Sequence, residues 1–344
     1  FSTSVFRRRK FQSRLFAIVQ NILLDLFSIL IIGAGIFFYQ RGELSFLNTV
    51  MTIIISFLAF SQIKLAGSAT TALRVVSGSI EQTKKLEEFP QMDIEGKDIK
   101  PANFNISFEN VEFAYSGKKI LDDISVDIPQ NQMTAIVGPS GAGKTTFCNL
   151  IARFWDIDNG KISIGGHNIK EYSLESLMKQ ISMVFQNVYL FQDTIENNIK
   201  FAKPNATHEE VVDAAKKACC HDFIMNLPEQ YQTVIGEGGA SLSGGEKQRT
   251  AICRAIINEP KIILADEPTG NLDSINSEIV IKYFERLNLE ENRTILMVTH
   301  DPTIASYSKK VLLMKDGAIV KQIEKENGED KKNFIQRIVE IMDY

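Results

Sequence analysis

A basic excess is missing from this sequence: 38 Lys and Arg stand against 42 Asp and Glu, a formal net charge of -4 at pH 7. Proteins that track nucleic-acid backbones carry the opposite imbalance, so nucleic acid is not an expected partner. Cysteine is scarce. Cys148, Cys219, Cys220 and Cys253 include no CxxC pair and two of them are adjacent, which argues against a disulfide framework and for reduced, structural thiols. Internal repeats and low-complexity tracts are absent too. Charge itself is nearly missing from residues 15–66, whereas residues 81–344 carry the mixed charge of a water-facing domain. That contrast predicts two environments for one chain. The first residue is Phe1 rather than Met, and the basic start precedes an apolar run too long for a signal-peptide core, so the chain reads as a fragment.

The run from Leu15 to Tyr39 would extend about 37 Å as a helix, enough to cross a bilayer, with Asp25 as its one charge. After the turn Gln40-Arg41-Gly42-Glu43 comes a second apolar run, 46–66, with Lys64 near its end, where a long side chain can snorkel. The pair predicts an all-α transmembrane hairpin. Core helices of a water-soluble protein are the competing reading of such runs. Arg7, Arg8, Arg9, Lys10 and Arg14 precede the first run, which places that end, and everything after Ala66, on the cytoplasmic side. Asp25 fits a substrate or proton path as well as it fits a charge facing a cavity or a neighbouring helix. Leu73, Val76, Ile80 and Leu86 continue at helical spacing, predicting an amphipathic cytoplasmic helix that Pro90 ends. The resulting division is a membrane part over 1–89, a linker over 90–104 and a second domain over 105–344.

In the second domain, apolar β-rich runs at 106–115, 124–128, 134–137, 181–185, 262–265 and 295–298 alternate with helical patterns, which predicts an α/β layer fold. The 134–137 run leads into Gly138-Pro139-Ser140-Gly141-Ala142-Gly143-Lys144-Thr145 and a helix from Gly143. This is the phosphate-binding P-loop pattern in the strand-to-helix setting that its mechanism requires. Glycine lets backbone N–H groups close around phosphate, the helix N-terminus adds its dipole, Lys144 reaches the β and γ phosphates, and Thr145 can ligate Mg2+. The 262–265 run ends in Asp266 and Glu267. Adjacent acids after a strand are commonly a cap or a solvated loop, but beside a P-loop Asp266 can hold Mg2+ while Glu267 orients and deprotonates a water. Leu242-Ser243-Gly244-Gly245-Glu246, before another helical pattern, reads as a second phosphate-binding helix start.

With both motifs present, about a hundred residues apart, the chain resembles an ABC transporter: an α/β P-loop NTPase, the ABC nucleotide-binding domain, preceded by the helical hairpin. The resemblance implies that ATP contacts Gly138, Pro139, Ser140, Gly141, Ala142, Gly143, Lys144, Thr145 and Thr146. It also implies that Ser243, Gly244 and Gly245 of one subunit cap the nucleotide of the other. Tyr115 in Phe113-Ala114-Tyr115 matches the aromatic that stacks on adenine, and Gln186 matches the glutamine that senses Mg2+ and contacts the permease. Asp273 matches the loop that communicates across the dimer, and His300 the switch histidine at the γ-phosphate. The implied catalytic set is Lys144, Gln186, Glu267 and His300, and the implied metal set Thr145, Gln186 and Asp266. ATP and Mg2+ are the implied cofactors. A second half-transporter, identical or different, the lipid bilayer and a transported substrate are the implied partners. The implied location is the cell membrane, multi-pass, with the ATP-binding domain in the cytoplasm.

Thr233 to Gly239 resembles the segment before the signature in exporters whose permease and ATPase are fused, and Gly42-Glu43-Leu44 sits as it does between the fifth and sixth helices of their permeases. Helices one to four and both coupling helices have no counterpart. The stretches 265–273 and 299–302 are more similar to stand-alone ATPases of peptide-antibiotic and lipoprotein systems, with a seam near Arg249 to Pro260. A recombined gene and natural divergence both account for that seam. The expected function is ATP-driven export by a dimer of half-transporters. The alternatives are an energy-transducing or regulatory ATPase, and a non-hydrolysing subunit, against which intact Glu267 and His300 stand. Siderophore, lipid, peptide and drug cargoes all use this architecture, so the cargo stays unassigned.

Overall fold

The computed structural model describes residues 2–87, 95–239, 241–270 and 272–343. Pro90 and the first part of the expected linker lie outside the described residues. The chain divides into two compact units, Phe1–Gln91 and Met92–Tyr344.

The first unit is two long helices, α1 (Ser2–Gln40) and α2 (Phe46–Glu87). Both outrun the apolar stretches, because no proline stands in either to stop propagation. The expected span and the expected cytoplasmic helix are thus one continuous α2. The chain leaves α1 through Gly42 at a φ of 74°, with Glu43 N–H donating back to the Phe38 carbonyl at 3.0 Å, a left-handed glycine closure. Ser45 then opens α2, its hydroxyl accepting from Asn48 N–H at 3.3 Å. Asn21–Gln40 and Phe46–Gly67 are long and apolar enough to cross a membrane, with mean hydropathies of 2.3 and 1.8. Their large side chains, Leu30, Leu47 and Phe57 among them, point outward, the reverse of a soluble protein's core helices. Thr49 is buried against Gly35, the small-residue contact that lets two apolar helices approach closely. Asp25 and Lys64 form an ion pair between the helices. Lys64 therefore does not snorkel on its own as the sequence suggests, and Asp25 faces its neighbouring helix. Pairing relieves the cost of holding two separate charges in an apolar stretch.

The second unit follows, in chain order, β1 (Ile106–Tyr115), β2 (Lys118–Ile128), β3 (Met133–Val137), α3 (Lys144–Ile151), β4 (Asn159–Ile164), β5 (His167–Asn168), α4 (Leu174–Met178), β6 (Ile181–Val184), α5 (Ile195–Lys200), α6 (His208–Lys217), α7 (His221–Met225), α8 (Gly244–Ile256), β7 (Ile262–Asp266), α9 (Ser274–Glu291), β8 (Thr294–Val298), α10 (Pro302–Ala305), β9 (Lys310–Lys315), β10 (Ala318–Glu324) and α11 (Lys331–Met342). One sheet is antiparallel, in the order β2-β1-β4-β5. The other runs β10-β9-β3-β8-β7-β6 and is parallel except for β10. Every residue of β3, β7 and β8 is buried, as the uninterrupted apolar runs of a sheet covered on both faces require. The half-exposed β10 and the short β4 and β5 carry no strong apolar run and are not foreseen from the sequence, and β9, whose buried run Val311-Leu312-Leu313-Met314 has the same character as β3, β7 and β8, is missed as well.

Two packing contacts fix α3 and the strand β3 that leads to it. Phe147 on α3 is fully buried and stacks on Phe108 of β1, ring centroids 4.1 Å apart, joining the antiparallel sheet to the helix. On the far side of the parallel sheet, Phe334, Ile338 and Ile341 of α11 pack against Val311 and Leu313 of β9 and Ala135 and Val137 of β3. The second unit thus has its own core, whereas the helical hairpin exposes apolar surface. Removing residues 1–90 is expected to leave a folded domain that is monodisperse without detergent, while the whole chain requires detergent. Gel filtration of both in plain buffer checks this, and a monodisperse whole chain would overturn the two-span reading.

Candidate functional site

The site begins where β3 runs out. Residues 138–143 turn from the strand into α3, with Ser140 and Gly141 exposed at the crown and Lys144 and Thr146 buried beneath. Gly138 admits no side chain, since a Cβ there would lie 2.0 Å from the Met314 carbonyl oxygen of β9. Lys144 folds over the loop and donates from Nζ to the carbonyls of Gly138 and Pro139, both at 2.9 Å. Burial pulls its pKa down, and the carboxylates of Glu267 and Asp266 pull it back up. The lysine is thus a cation that the loop itself holds in place, ready to exchange carbonyls for phosphate oxygens.

Across the sheet, Asp266 closes β7 and accepts from Thr145 Oγ1 at 3.1 Å. Burial raises its pKa, opposed chiefly by that hydrogen bond. Glu267, one residue on, has a φ of 45°, a left-handed backbone that a side-chain-bearing residue adopts at a cost of about 1–2 kcal/mol. This kink turns its carboxylate out of the sheet to meet two partners. Gln186 Nε2 donates to one oxygen at 2.8 Å, and His300 Nδ1 lies 3.5 Å from the other. Lys144, Thr145, Gln186, Asp266, Glu267 and His300 therefore converge as the sequence suggests. Thr145 hydroxyl, Asp266 carboxylate and Gln186 carboxamide make a hard-oxygen donor set that suits Mg2+. Among the described residues no group of three or more His, Cys, Asp or Glu is placed to hold a metal ion, so this donor set fits a cation held jointly with phosphate and water.

Tyr115 ends β1 half-buried, edge-on to Phe113 at 4.7 Å and to Trp155 at 5.1 Å. Ala114 N–H beside it donates to Asp158 Oδ2 at 2.7 Å, fixing the strand end. Half of Trp155 is solvent-exposed (51%), and it is a candidate base-stacking surface that the motif reading missed, although it is the one tryptophan in the chain. Ser243 caps α8 in a closed box: its hydroxyl accepts from Glu246 N–H at 3.4 Å, its own N–H donates to Glu246 Oε2 at 2.8 Å, and its hydroxyl also donates to that oxygen at 2.8 Å. To meet a phosphate, the Ser243 hydroxyl must leave Glu246. Gly244 beside it is exposed and Gly245 is buried. Asp273 caps α9, accepting from Asn276 N–H at 2.9 Å. Asn271, in the same loop, lies outside the described residues.

A parallel sheet whose phosphate loop faces an Asp-Glu pair defines a P-loop nucleoside triphosphatase. Residues 121–270 match the family described as ABC transporter, so this part of the chain is an ABC-type ATP-binding domain. Such domains bind ATP and hydrolyse it. The chain is 45% identical over 219 residues, 63% of its own length, to ABC transporter B family member 24, mitochondrial, of Arabidopsis thaliana, and spans 32% of that protein. It is 33% identical over 317 residues, 91% of its own length, to the Haemophilus influenzae protein named probable ABC transporter ATP-binding/permease protein, and spans 57% of it. Among solved structures it resembles a bacterial Atm1-family ABC exporter with ATP bound: TM-score 0.71, 29% identity, 94% of this chain and 56% of that one. The chain therefore spans roughly a third to just over half of the relatives it matches.

The loop geometry separates its glycines. Gly138→Ala drives a methyl into the Met314 carbonyl and is expected to abolish nucleotide binding along with a marked loss of stability. Gly141, at φ 81° with open space around it, costs only the left-handed strain, about 1–2 kcal/mol as Gly141→Ala. Thermal unfolding and ATP-binding titrations of the two variants check the order.

Proposed function

We propose that the chain is the ATP-hydrolysing part of a half-transporter that pairs with a second half-transporter and couples Mg-ATP hydrolysis to export of a substrate across the cell membrane. The observation that carries this reading is the convergence on Glu267: a kinked backbone aims one carboxylate at Gln186 and His300, beside a buried lysine on a phosphate loop. In this mechanism Tyr115, helped by Trp155, stacks on adenine. Residues 138–146 wrap the phosphates with backbone N–H groups, and Lys144 gives up the Gly138 and Pro139 carbonyls to neutralise the β and γ phosphates. Thr145, Asp266 and Gln186 would hold Mg2+, which would neutralise phosphate charge. Glu267 accepts a proton from the attacking water as its oxygen bonds to the γ-phosphorus, and ADP leaves with the bond that breaks. His300 donates to the γ-phosphate and keeps Glu267 oriented.

The apolar stretches 21–40 and 46–67 span the bilayer as part of a multi-pass assembly, with the basic residues 7–14 and the ATP-binding domain in the cytoplasm. Ser243, Gly244, Gly245 and Asp273 face the nucleotide of the second copy, the contact that links hydrolysis to closure of the pair. The names of the relatives, a permease-fused ATPase and an exporter, support transport as the outcome.

Two variants test the chemistry and the pairing. Glu267→Gln is expected to hold ATP within a few-fold of the parent while kcat falls by roughly 10²–10⁴-fold. Turnover close to the parent's would remove Glu267 from the role of base. On that slow background, ATP should produce a dimer by light scattering, and adding Ser243→Arg should return a monomer. A dimer that persists with Arg at 243 would sink the shared-nucleotide arrangement even where ATP binding holds.

A further inference from the structure

One carboxamide joins the signature helix to the loop that ends in Asp273. Arg249 of α8 donates from Nη1 to Asn276 Oδ1 at 2.5 Å, and Asn276 Nδ2 donates to Asp273 Oδ2 at 2.6 Å. Chemistry fixes the orientation of this amide, because a guanidinium only donates and a carboxylate only accepts. The same side chain fills the space over Gly245: a Cβ there would lie 2.7 Å from the Cγ and the Oδ1 of Asn276. A side chain at 245 would therefore push Asn276 out of this position within the same subunit, apart from any demand of phosphate. Arg249 rests with its guanidinium carbon 5.3 Å from the centroid of the Phe223 ring of α7, and its Nε is buried with no hydrogen-bond partner among the described residues. The bond to Asn276 is its polar anchor.

Asp273 does not need the amide to cap α9, since it already accepts from the Asn276 backbone N–H at 2.9 Å. The second bond, side chain to side chain, adds nothing to the helix end that the first does not supply. What it does is tie the free carboxylate oxygen to Arg249 and to the first turn of α8. We propose that Asn276 is a positioning residue that locks the Gly245 turn to Asp273, so that the signature and the Asp273 loop approach the second copy's nucleotide as one rigid piece. The inference rests on the two-copy reading given under the proposed function and adds to it the residue that keeps both contact groups in register. Orientation of this kind acts on turnover and leaves nucleotide capture by the P-loop alone.

Steady-state ATP hydrolysis by the whole chain in detergent tests it, comparing the parent with Asn276→Asp, Asn276→Ala, Arg249→Ala and the Asn276→Ala, Arg249→Ala double variant. Asn276→Asp keeps an acceptor for Arg249 but turns the bond to Asp273 into a carboxylate repulsion. It is expected to lower kcat about tenfold with KM for ATP within about twofold. The double variant is expected to be no slower than the slower single one, the signature of two residues acting through one contact. Parent-like kcat in Asn276→Asp, or losses that multiply in the double variant, would overturn the proposal. So would a fall in unfolding midpoint of more than about 5 °C in both Asn276 variants, which would assign the residue to folding. A parent chain that hydrolyses no ATP would remove the function proposed above, and this inference with it, before any variant is compared.

Discussion

The register of the parallel sheet decides everything about the site. Ile136 of β3 lies opposite Val298 of β8, and Val298 lies opposite Asp266 of β7. Val184 of β6 pairs with Ala265. Four strands therefore finish in one row, and the chain leaves each of them at the same edge: into the P-loop after Val137, to Gln186 after Val184, to Glu267 after Asp266 and to His300 after Val298. Ligands gather outside the carboxyl ends of parallel strands for this reason. A shift of one residue in any pairing would send each side chain of that strand into the core on the opposite face of the sheet, so the packing that holds the register holds the chemistry with it.

The same arrangement sets charge against burial. Lys144 and Asp266 are both nearly inaccessible, and burial works against the charged form of each. Their mutual attraction and the Thr145 hydrogen bond offset part of that cost, and the carbonyls of Gly138 and Pro139 satisfy the ammonium. Together with the left-handed Glu267, the fold keeps at one edge three groups that a stability-optimised sheet would replace. Such a concentration of unfavourable choices is what a site that handles phosphate charge demands.

How much of this was legible in the sequence follows from distance along the chain. The P-loop, the Asp-Glu pair and the signature are short contiguous patterns whose chemistry depends on local backbone, and they read directly. Strands β3, β7 and β8 read as apolar runs because both sheet faces are covered. The Asp25–Lys64 pair, the Met314 carbonyl that demands Gly138 and the Trp155 edge beside Tyr115 join residues tens to hundreds of positions apart, and no spacing rule points to them. Sheet edges are equally opaque: β10 is half-exposed along its length, so its sequence lacks the apolar signal of the central strands.

The seam expected near residues 249–260 has no counterpart in the packing. Helix α8 runs unbroken from Gly244 to Ile256. Its Ile252, Cys253 and Ile256 share one core with Ile224 and Leu242 before that stretch and with Tyr283, Phe284 and Met297 after it. Arg249 on one side reaches Asn276 on the other, and Gly245 leaves room for that side chain and no more. Interiors packed to crystal-like density tolerate few uncompensated changes of shape, so residues on both sides must be fitted to each other whatever the history of the sequence. The second unit therefore acts as one domain, and the polar contact between Arg249 and Asn276 bridges the expected seam.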